Sequence, residues 1–103
     1  MSVPLRGQVY RVDLGHGAKP WVVVSNNARN RNLETSLAVR ITTIDKPANL
    51  PTVVPLSSAD PLVGYVLVDD IIQLHRNELV TPLGSLAPAT MQLVSAALRI
   101  ALP

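Results

Sequence analysis

The chain has 103 residues, with nine Lys and Arg against seven Asp and Glu, no cysteine, no phenylalanine and only three aromatic residues. This length predicts a single domain spanning residues 1–103, which can bury a hydrophobic core of its own. The absence of cysteine excludes disulfide bonds and cysteine-based zinc sites. The formal net charge of +2 is too small to indicate nucleic-acid binding by itself.

The charge is distributed unevenly along the chain. Residues 6–46 carry seven basic and three acidic side chains, a net charge of +4, whereas residues 47–103 carry two basic and four acidic ones, a net charge of −2. The basic segment is therefore the part that requires a functional explanation. No signal peptide precedes Arg6, and no apolar stretch reaches the roughly 20 residues of a membrane-spanning helix, so we expect a cytoplasmic protein without membrane contact.

Alternation of apolar and polar residues predicts β-strands in the first three quarters of the chain. Residues 8–14 fit a half-buried first strand, and a loop with two glycines follows at residues 15–18. Residues 20–25 fit an apolar central strand that Pro20 can only begin, because proline has no N–H to donate to a β-ladder. Residues 28–36 are polar and unpatterned, which predicts a loop.

The next strands follow the same logic. Residues 37–43 alternate as a third strand, and a turn at residues 46–49 leads to a fourth strand at residues 52–56. Prolines bracket this fourth strand, which places it at a sheet edge. A fifth strand is predicted at residues 65–68, continuing through residues 71–74.

The periodicity changes at the end of the chain. Pro88 suits the first turn of a helix, and from residue 90 to residue 102 the apolar residues recur at spacings of three and four. The predicted architecture is mainly β, a small and strongly bent antiparallel sheet or open barrel with one C-terminal helix.

The usual signatures of metal, thiol and cofactor chemistry are missing. His16 and His75 are far apart in the sequence, and no Gly-rich loop leads into a helix, so we expect neither a metal nor a cofactor. Hydrogen-bond donors remain at the predicted strand ends, and these are Lys19, Thr42, Asn26 and Asn27.

RNA cleavage needs little more than such donors. The nucleophile is the substrate's own 2′-hydroxyl, and the enzyme mainly neutralises a phosphorane that carries extra negative charge. A cation and a hydroxyl donor within reach of one phosphate supply this. A Lys and a Thr on strands are nevertheless common surface residues, so the pair alone does not identify an active site.

The order of the segments adds a family resemblance. RGQVYRVDLGHGAKPWVVVSNNARN, AVRITT, LPTVV and GYVLVDDIIQL occur in that order along the chain. The chain resembles, from end to end, the MazF/PemK/Kid family of type II toxin–antitoxin ribonucleases. The first matching feature is a Gly-x-Val-Tyr strand at residues 7–10. The second is the segment at residues 19–26, in which a basic residue and Pro precede an apolar strand and a Ser-Asn pair. The third is the hydroxyl residue Thr42, and the fourth is the closing helix.

This resemblance implies a fold and an activity. The fold would be the SH3-like open barrel of the MazF/CcdB/Kid type, with a short first loop. The activity would be sequence-specific, metal-independent cleavage of single-stranded RNA by attack of the 2′-hydroxyl, which leaves a 2′,3′-cyclic phosphate and a 5′-hydroxyl and arrests translation and growth. The partners would be a second copy in a homodimer and a cognate MazE-like antitoxin.

The resemblance also assigns the catalytic residues. Lys19 stands at the position of the family's catalytic Arg, and Thr42 stands at that of its catalytic hydroxyl. Arg is planar and bidentate on phosphate whereas Lys is a point charge, so this exchange is not conservative. We expect retained activity because Pro20 and Thr42 are both present, and a weakened enzyme is the alternative.

Three further residues have more than one interpretation. The Glu that many family members carry in the first loop is absent here, because this loop is short. His16 is the nearby side chain that suits acid–base chemistry. The alternatives for His16 are a phosphate contact or a solvated loop residue. Asp69 and Asp70 stand where relatives read bases. A carboxylate there would select bases with amino groups, and a turn or helix cap is the alternative.

The remaining candidates for RNA binding are polar residues of the basic segment. Asn26 and Asn27 contact RNA or serve as turn residues. Trp21 fits core or dimer packing better than stacking on a base. Flanking phosphates are expected at Arg29, Arg31 and Lys46, with solvated loop charge as the alternative, and Arg40 is a further RNA-binding candidate.

Two other functions remain open at this point. A DNA gyrase poison of the CcdB type shares the fold, but its family ends in Trp-Gly-Ile and this chain ends in Ile-Ala-Leu-Pro. A catalytically degenerate interaction module is the other alternative, and Lys19 in place of Arg is its main support.

Overall fold

A computed structural model describes residues 3–44 and 50–102 of the chain. The predicted turn at residues 46–49, with Lys46, lies outside the described residues. The elements in chain order are β1 Gln8–Asp13, β2 Ala18–Val23, α1 Asn27–Asn32, β3 Thr35–Thr42, β4 Val53–Pro55, β5 Tyr65–His75, a 3₁₀ turn Arg76–Glu78, β6 Pro82–Ser85 and α2 Pro88–Ala101.

The described strands form one antiparallel sheet in the order β4-β5-β3-β2-β1-β6. The sheet is curled into an open half-barrel, and α2 packs against β4 and β5. The predicted mainly-β architecture with a C-terminal helix is therefore confirmed. β4 lies at one edge of the sheet, as its flanking prolines predict. No helix in the described residues is long and apolar enough to cross a membrane.

The loop predicted for residues 28–36 is wrong in its first part, because α1 occupies Asn27–Asn32. The Asn26 side chain accepts a hydrogen bond from the Arg29 N–H at 2.8 Å and so caps the helix. Asn30 is fully buried and hydrogen-bonded to Ser25. Capping and one buried amide thus form a short helix that has no apolar periodicity for a sequence pattern to reveal.

Three strands differ from the expectation. β2 begins at Ala18, so Pro20 lies inside the strand, opposite Arg11, and the prediction that Pro20 begins it is wrong. The sequence does not predict β6, since its four residues show no alternation, and it forms by pairing with β1. The fifth strand runs unbroken over Tyr65–His75. Residues 68–70 bulge out between the pairs Arg40↔Leu67 and Val39↔Ile71, and this bulge interrupts the alternation in the sequence.

The sheet buries apolar side chains on both faces, because successive residues of a strand point in opposite directions. The face under α2 carries a core that includes Val9, Val22, Val39 and Ile41, all at most 1% exposed. The opposite face carries a second core of Tyr10, Val12, Trp21, Val23, Ala38, Leu74 and Leu79. Trp21 is 7% exposed, which confirms its predicted packing role.

Asp60 fixes the start of α2. No side chain within the helix caps it. Instead, Asp60 Oδ1 accepts from the Ala87 N–H at 2.7 Å, and Oδ2 accepts from the Thr90 hydroxyl at 2.7 Å and from the Ser57 N–H and hydroxyl. Burial alone raises the pKa of the Asp60 carboxyl, but the hydrogen bonds from Ser57, Ala87 and Thr90 outweigh burial, so the net pKa lies below its ordinary value.

We therefore predict that Asp60→Asn destabilises the fold by about 1–3 kcal/mol at neutral pH, because the amide cannot accept all four hydrogen bonds. Because the pKa of the Asp60 carboxyl is lower in the folded protein, its ionised form stabilises the fold at any pH above the carboxyl's ordinary pKa. This stabilisation is lost as the pH falls through the pKa of the folded protein. Urea unfolding at a series of pH values measures this effect. The difference in free energy of unfolding between wild type and Asp60→Asn should become smaller from pH 7 to pH 3. Asp70→Asn, at an exposed carboxylate, is the control, and an undiminished difference at pH 3 would contradict the prediction.

Candidate active site

The register between β2 and β3 brings Lys19 and Thr42 together. Trp21 pairs with Arg40 and Val23 with Ala38. The ladder ends at the pair Trp21↔Arg40, and Lys19 and Thr42 each lie two residues beyond it, where strand alternation points both side chains to the face away from α2. Both residues line the same cavity, so an anion in that cavity would lie next to both side chains.

Lys19, Arg40 and Thr42 line one cavity of about 220 Å³, which we name the Lys19–Thr42 cavity. Lys19 is exposed, Arg40 is half-buried and Thr42 is 6% exposed. Among the described residues that line this cavity, none is a carboxylate. The cavity therefore offers two cations and a hydroxyl to an anion, with no competing negative charge from those residues.

Thr42 is held from two sides. Its hydroxyl oxygen accepts a hydrogen bond from the Ile44 N–H at 3.2 Å, an arrangement in which a hydroxyl still has its own hydrogen to donate. Gly64 lies against the Thr42 backbone with a φ of +140°. A Cβ at this position would overlap the Thr42 carbonyl oxygen and lie 3.0 Å from the carbonyl carbon. The position therefore requires glycine.

His16 lies beside a second, smaller cavity. This cavity has a volume of about 100 Å³ and shares Lys19 and Arg40 with the first one; we name it the Trp21 cavity. His16 belongs to a tight loop in which Gly15 and Gly17 have positive φ angles. The structure thus places His16 near Lys19, while Thr42 lines only the other cavity.

Asp69 and Asp70 lie on the bulge of β5 and are both exposed. Asp69 Oδ2 accepts a hydrogen bond from the Thr52 hydroxyl at 2.7 Å. With Thr52 and Leu67 among their neighbours, the two aspartates line a separate cavity of about 230 Å³ next to β4. They lie neither in a turn nor at a helix cap. Their predicted part in base recognition stays a prediction.

The other RNA-binding candidates cluster at the far end of β2. β2 begins at Ala18 and ends at Val23, so Lys19 lies at its start and Asn26 lies three residues beyond its end. Asn26 caps α1, and Asn27 Oδ1 accepts from the Arg6 N–H at 2.8 Å. Arg29 donates to the Thr35 carbonyl at 2.8 Å. Asn26 is therefore a helix cap and Asn27 a helical residue, and neither is the turn residue given as the alternative to RNA contact.

Asn26 and Arg29 line a third cavity, of about 390 Å³, together with Arg6, Arg99 and an apolar floor. Arg31 is exposed on α1, and its backbone carbonyl accepts from the Arg76 guanidinium at 2.9 Å. The structure brings none of these residues into the Lys19–Thr42 cavity, and their contact with RNA stays a prediction. Across residues 3–44 and 50–102, no three His, Asp or Glu side chains are grouped so as to hold a metal ion.

Two features of the site escape sequence reasoning. Gly64 is far from Thr42 in the chain, and a lone glycine carries no sign of what it approaches. Trp21 Nε1 and Arg40 Nε are buried and have no hydrogen-bond partner among the described atoms, although both residues line the Trp21 cavity. An N–H without a partner is visible only in a three-dimensional structure.

Comparison with known proteins identifies the family. A profile described as PemK-like, MazF-like toxin of type II toxin–antitoxin system matches residues 5–102. Endoribonuclease MazF4 of Mycobacterium tuberculosis is 53% identical over 102 residues, which cover 99% of this chain and 95% of the relative. The chain belongs to this toxin family.

Solved structures agree with the assignment to the MazF-like toxins. An endoribonuclease in complex with its cognate antitoxin, from a mycobacterial species, has a TM-score of 0.91 and 53% identity, covering 97% of both chains. The MazE–MazF complex of Deinococcus radiodurans has a TM-score of 0.83 at 23% identity, covering 99% of this chain and 97% of that one, and so shares the fold. The family and fold expected from the sequence motifs are confirmed.

The close approach of Gly64 to Thr42 gives a prediction for this MazF-like toxin. Gly64→Ala should destabilise the fold through backbone strain and through the clash with the Thr42 carbonyl. Gly15→Ala is the matched control, because Gly15 has a φ of +103° and a methyl group there would meet no other atom within 4 Å. In thermal unfolding, Gly64→Ala should lower the free energy of unfolding by about 1–3 kcal/mol more than Gly15→Ala does. Equal losses would show that Thr42 does not depend on this contact.

Proposed function

We propose that this MazF-like toxin cleaves single-stranded RNA at a phosphate bound between Lys19 and Thr42. The class of activity, endoribonuclease, follows from the family and from relatives at 53% identity that carry that name. The observation that supports this site is the cross-strand placement of Lys19 and Thr42 in one cavity with Arg40. A cation and a hydroxyl donor on one phosphate are what a phosphorane requires.

In the proposed reaction, the 2′-hydroxyl oxygen attacks the adjacent phosphorus. The bond from phosphorus to the 2′-oxygen forms as the bond to the 5′-oxygen of the next nucleotide breaks. The products are a 2′,3′-cyclic phosphate and a 5′-hydroxyl, so one proton leaves the 2′-oxygen and one reaches the 5′-oxygen. Lys19 and Arg40 neutralise the added negative charge, and the Thr42 hydroxyl donates to a non-bridging oxygen. No step in this scheme requires a metal ion.

The proton transfers need a partner near the phosphate. His16 is the candidate, because it shares the Trp21 cavity with Lys19 and imidazole exchanges protons near neutral pH. A contact between His16 and a neighbouring phosphate is the alternative role.

We infer that bound RNA extends beyond the Lys19–Thr42 cavity in both directions. Asp69 and Asp70 line a cavity beside β4 and would select bases that present amino groups. At the far end of β2, exposed or half-buried basic side chains would hold flanking phosphates. The modest net charge of +2 predicts weak non-specific binding, so selectivity would come from base contacts.

The biological setting we propose is that of the family. A cognate MazE-like antitoxin would cover the RNA-binding grooves, and the free toxin would arrest translation and growth in the cytoplasm. Its relative from a mycobacterial species was solved in complex with its cognate antitoxin. The basic surface around Lys19 and Arg40 would attract an acidic antitoxin segment.

We expect Lys19→Ala to lower kcat/KM for RNA cleavage by about 100-fold or more, because one charge-stabilising donor is lost. Lys19 is exposed, so the fold should remain intact. Arg11→Ala is the matched control. It removes an exposed cation from β1, opposite Pro20, where the side chain belongs to the other face of the sheet. Lys19→Arg restores the family's residue and should keep the activity.

The measurement is incubation with a mixed RNA pool in EDTA, followed by sequencing of the cut ends and by analysis for 2′,3′-cyclic phosphate. Cuts at specific sites by wild type and by Arg11→Ala, and none by Lys19→Ala, support the proposal. Full activity of Lys19→Ala would overturn the proposed site. Absence of cleavage by the wild type would favour a degenerate interaction module or a gyrase poison.

We further propose that two copies form a symmetric homodimer. α2 exposes Leu93 and Ile100 seven residues apart, each 55% exposed, together with Leu102 just after the helix. Such an apolar surface is expected to be covered in an assembly.

Sedimentation equilibrium should therefore give twice the monomer mass, and Leu93→Glu should weaken dimerisation about tenfold or more. Val80→Glu, at a valine that is 63% exposed and lies outside α2, is the control and should leave the dimer intact. A monomeric wild type would refute the homodimer, and an unaffected Leu93→Glu dimer would refute this surface.

A further inference from the structure

A cationic cavity lies on the other side of the sheet from the Lys19–Thr42 cavity. It is the cavity of about 390 Å³ that Arg6, Arg29 and Arg99 line, and we name it the Arg99 cavity. The apolar side chains of its floor include members of the core under α2, whereas Lys19 and Thr42 point to the opposite face. The two cavities have no described lining residue in common. The Arg99 cavity therefore lies outside the proposed catalytic site.

Three guanidinium groups meet at this cavity without a negative charge to balance them. None of the described residues that line the cavity is a carboxylate. Within residues 3–44 and 50–102, the only contact of salt-bridge geometry joins His75 and Glu34, so no acid pairs with the three arginines there. A cleft that carries one sign of charge between walls of low dielectric concentrates ions of the opposite sign. The cavity is therefore suited to an anion.

The three guanidinium groups also have N–H donors to spare. Arg6 donates to the Ser95 hydroxyl, which holds it against α2, and Arg29 donates to the carbonyl and the hydroxyl of Thr35. A guanidinium carries more N–H donors than these contacts use. Arg99, in the last turn of α2, donates to none of the described residues. Guanidinium groups bind the oxygens of phosphates and carboxylates in pairs, so these free donors match an oxyanion.

The floor of the cavity is aliphatic. It consists of Val24, Leu37, Ile71, Leu98 and Leu102, and no aromatic ring is among the described lining residues. Nucleobases are bound by stacking on planar groups, which this floor does not offer. An aliphatic chain needs only apolar contact and gains free energy by leaving water. The floor thus matches an aliphatic chain better than a base.

The volume of the cavity admits a small organic molecule. About 390 Å³ lies within the range of roughly 300–1,000 Å³ that is typical of small-molecule sites, which are mostly apolar with a few polar groups. Arg6 and Arg99 also line an adjoining cavity of about 340 Å³, whose described lining again contains no carboxylate. A ligand would therefore direct its charged end toward these two arginines and its apolar end toward the floor.

We propose that the Arg99 cavity binds a small amphipathic oxyanion, which is a phosphate monoester or a carboxylate attached to an aliphatic chain. Arg6, Arg29 and Arg99 hold the oxyanion, and the aliphatic floor covers the chain. Leu102 belongs both to this floor and to the apolar surface proposed for the homodimer, so the ligand binds beside the subunit interface. The proposal does not depend on the catalytic site.

Titration of the wild-type protein with hexyl phosphate and with hexanoate tests the proposal. Both should bind in calorimetry and shift the backbone NMR signals of Val24, Leu37 and Leu98. Hexyl phosphate should bind more tightly, because its head group carries more negative charge at pH 7. The tighter of the two probes identifies the preferred head group.

Two further probes separate the head group from the chain. Hexylammonium has the same chain and the opposite charge, and inorganic phosphate has no chain, so each should bind about tenfold or more weakly than hexyl phosphate. No binding of either hexyl phosphate or hexanoate would overturn the proposal, and so would equal binding of hexylammonium. Equal binding of inorganic phosphate would also overturn it and would leave only a contact for a phosphate, such as one of a flanking nucleotide.

Substitutions locate the site. Arg99→Gln should weaken hexyl phosphate binding about tenfold or more, because a charged donor is lost, and the exposed position should leave the fold intact. Arg11→Gln is the matched control, because Arg11 is also exposed and is not among the residues that line the cavity. Unchanged affinity of Arg99→Gln would overturn the proposal.

Lys19→Ala separates this proposal from the proposed function. It should bind hexyl phosphate as tightly as the wild type does, although it should lose RNA cleavage. Loss of hexyl phosphate binding in Lys19→Ala would place the probe in the Lys19–Thr42 cavity and overturn the Arg99 site. Retained cleavage in Lys19→Ala would overturn the catalytic site alone.

Discussion

The antiparallel register between β2 and β3 is the constraint on which the candidate site depends. A slip of one residue would turn Lys19 and Thr42 to opposite faces of the sheet, because side chains alternate along a strand. The register is fixed by burial on both faces. Val22 and Val39 pair under α2 at 0% exposure, and Val23 and Ala38 pair on the opposite face at 0% exposure. Packing of the hydrophobic core thus positions the polar side chains of Lys19 and Thr42, which are not part of that core.

This dependence explains how much of the molecule the sequence predicts. Strands with clear alternation, such as β1 and β3, and the three-four spacing in α2 follow from local patterns. The order of the family motifs points to Lys19 and Thr42, and the register explains why their side chains lie on the same face of the sheet. β6 could not be predicted, since it exists only through its pairing with β1. The short helix α1 depends on capping by Asn26 and on buried Asn30, contacts that leave no periodic signal.

The distribution of charge has a structural counterpart. The basic segment of the sequence contains β1 to β3, and these strands place Lys19 and Arg40 around two adjoining cavities without a carboxylate in the described lining. The acidic segment instead supplies Asp60, which fixes α2, and the exposed pair Asp69 and Asp70 on the bulge of β5. The small net charge is therefore the average of a cationic site and a scaffold whose acids have other roles.

The position of Arg40 bears on the exchange of the family's Arg for Lys19. A lysine carries a compact charge but lacks the planar fork with which arginine holds two phosphate oxygens. Arg40 brings a guanidinium to the same cavity from the neighbouring strand, directly opposite Trp21. In the proposed mechanism the two functions of a single arginine are therefore shared, with charge at Lys19 and planar recognition at Arg40.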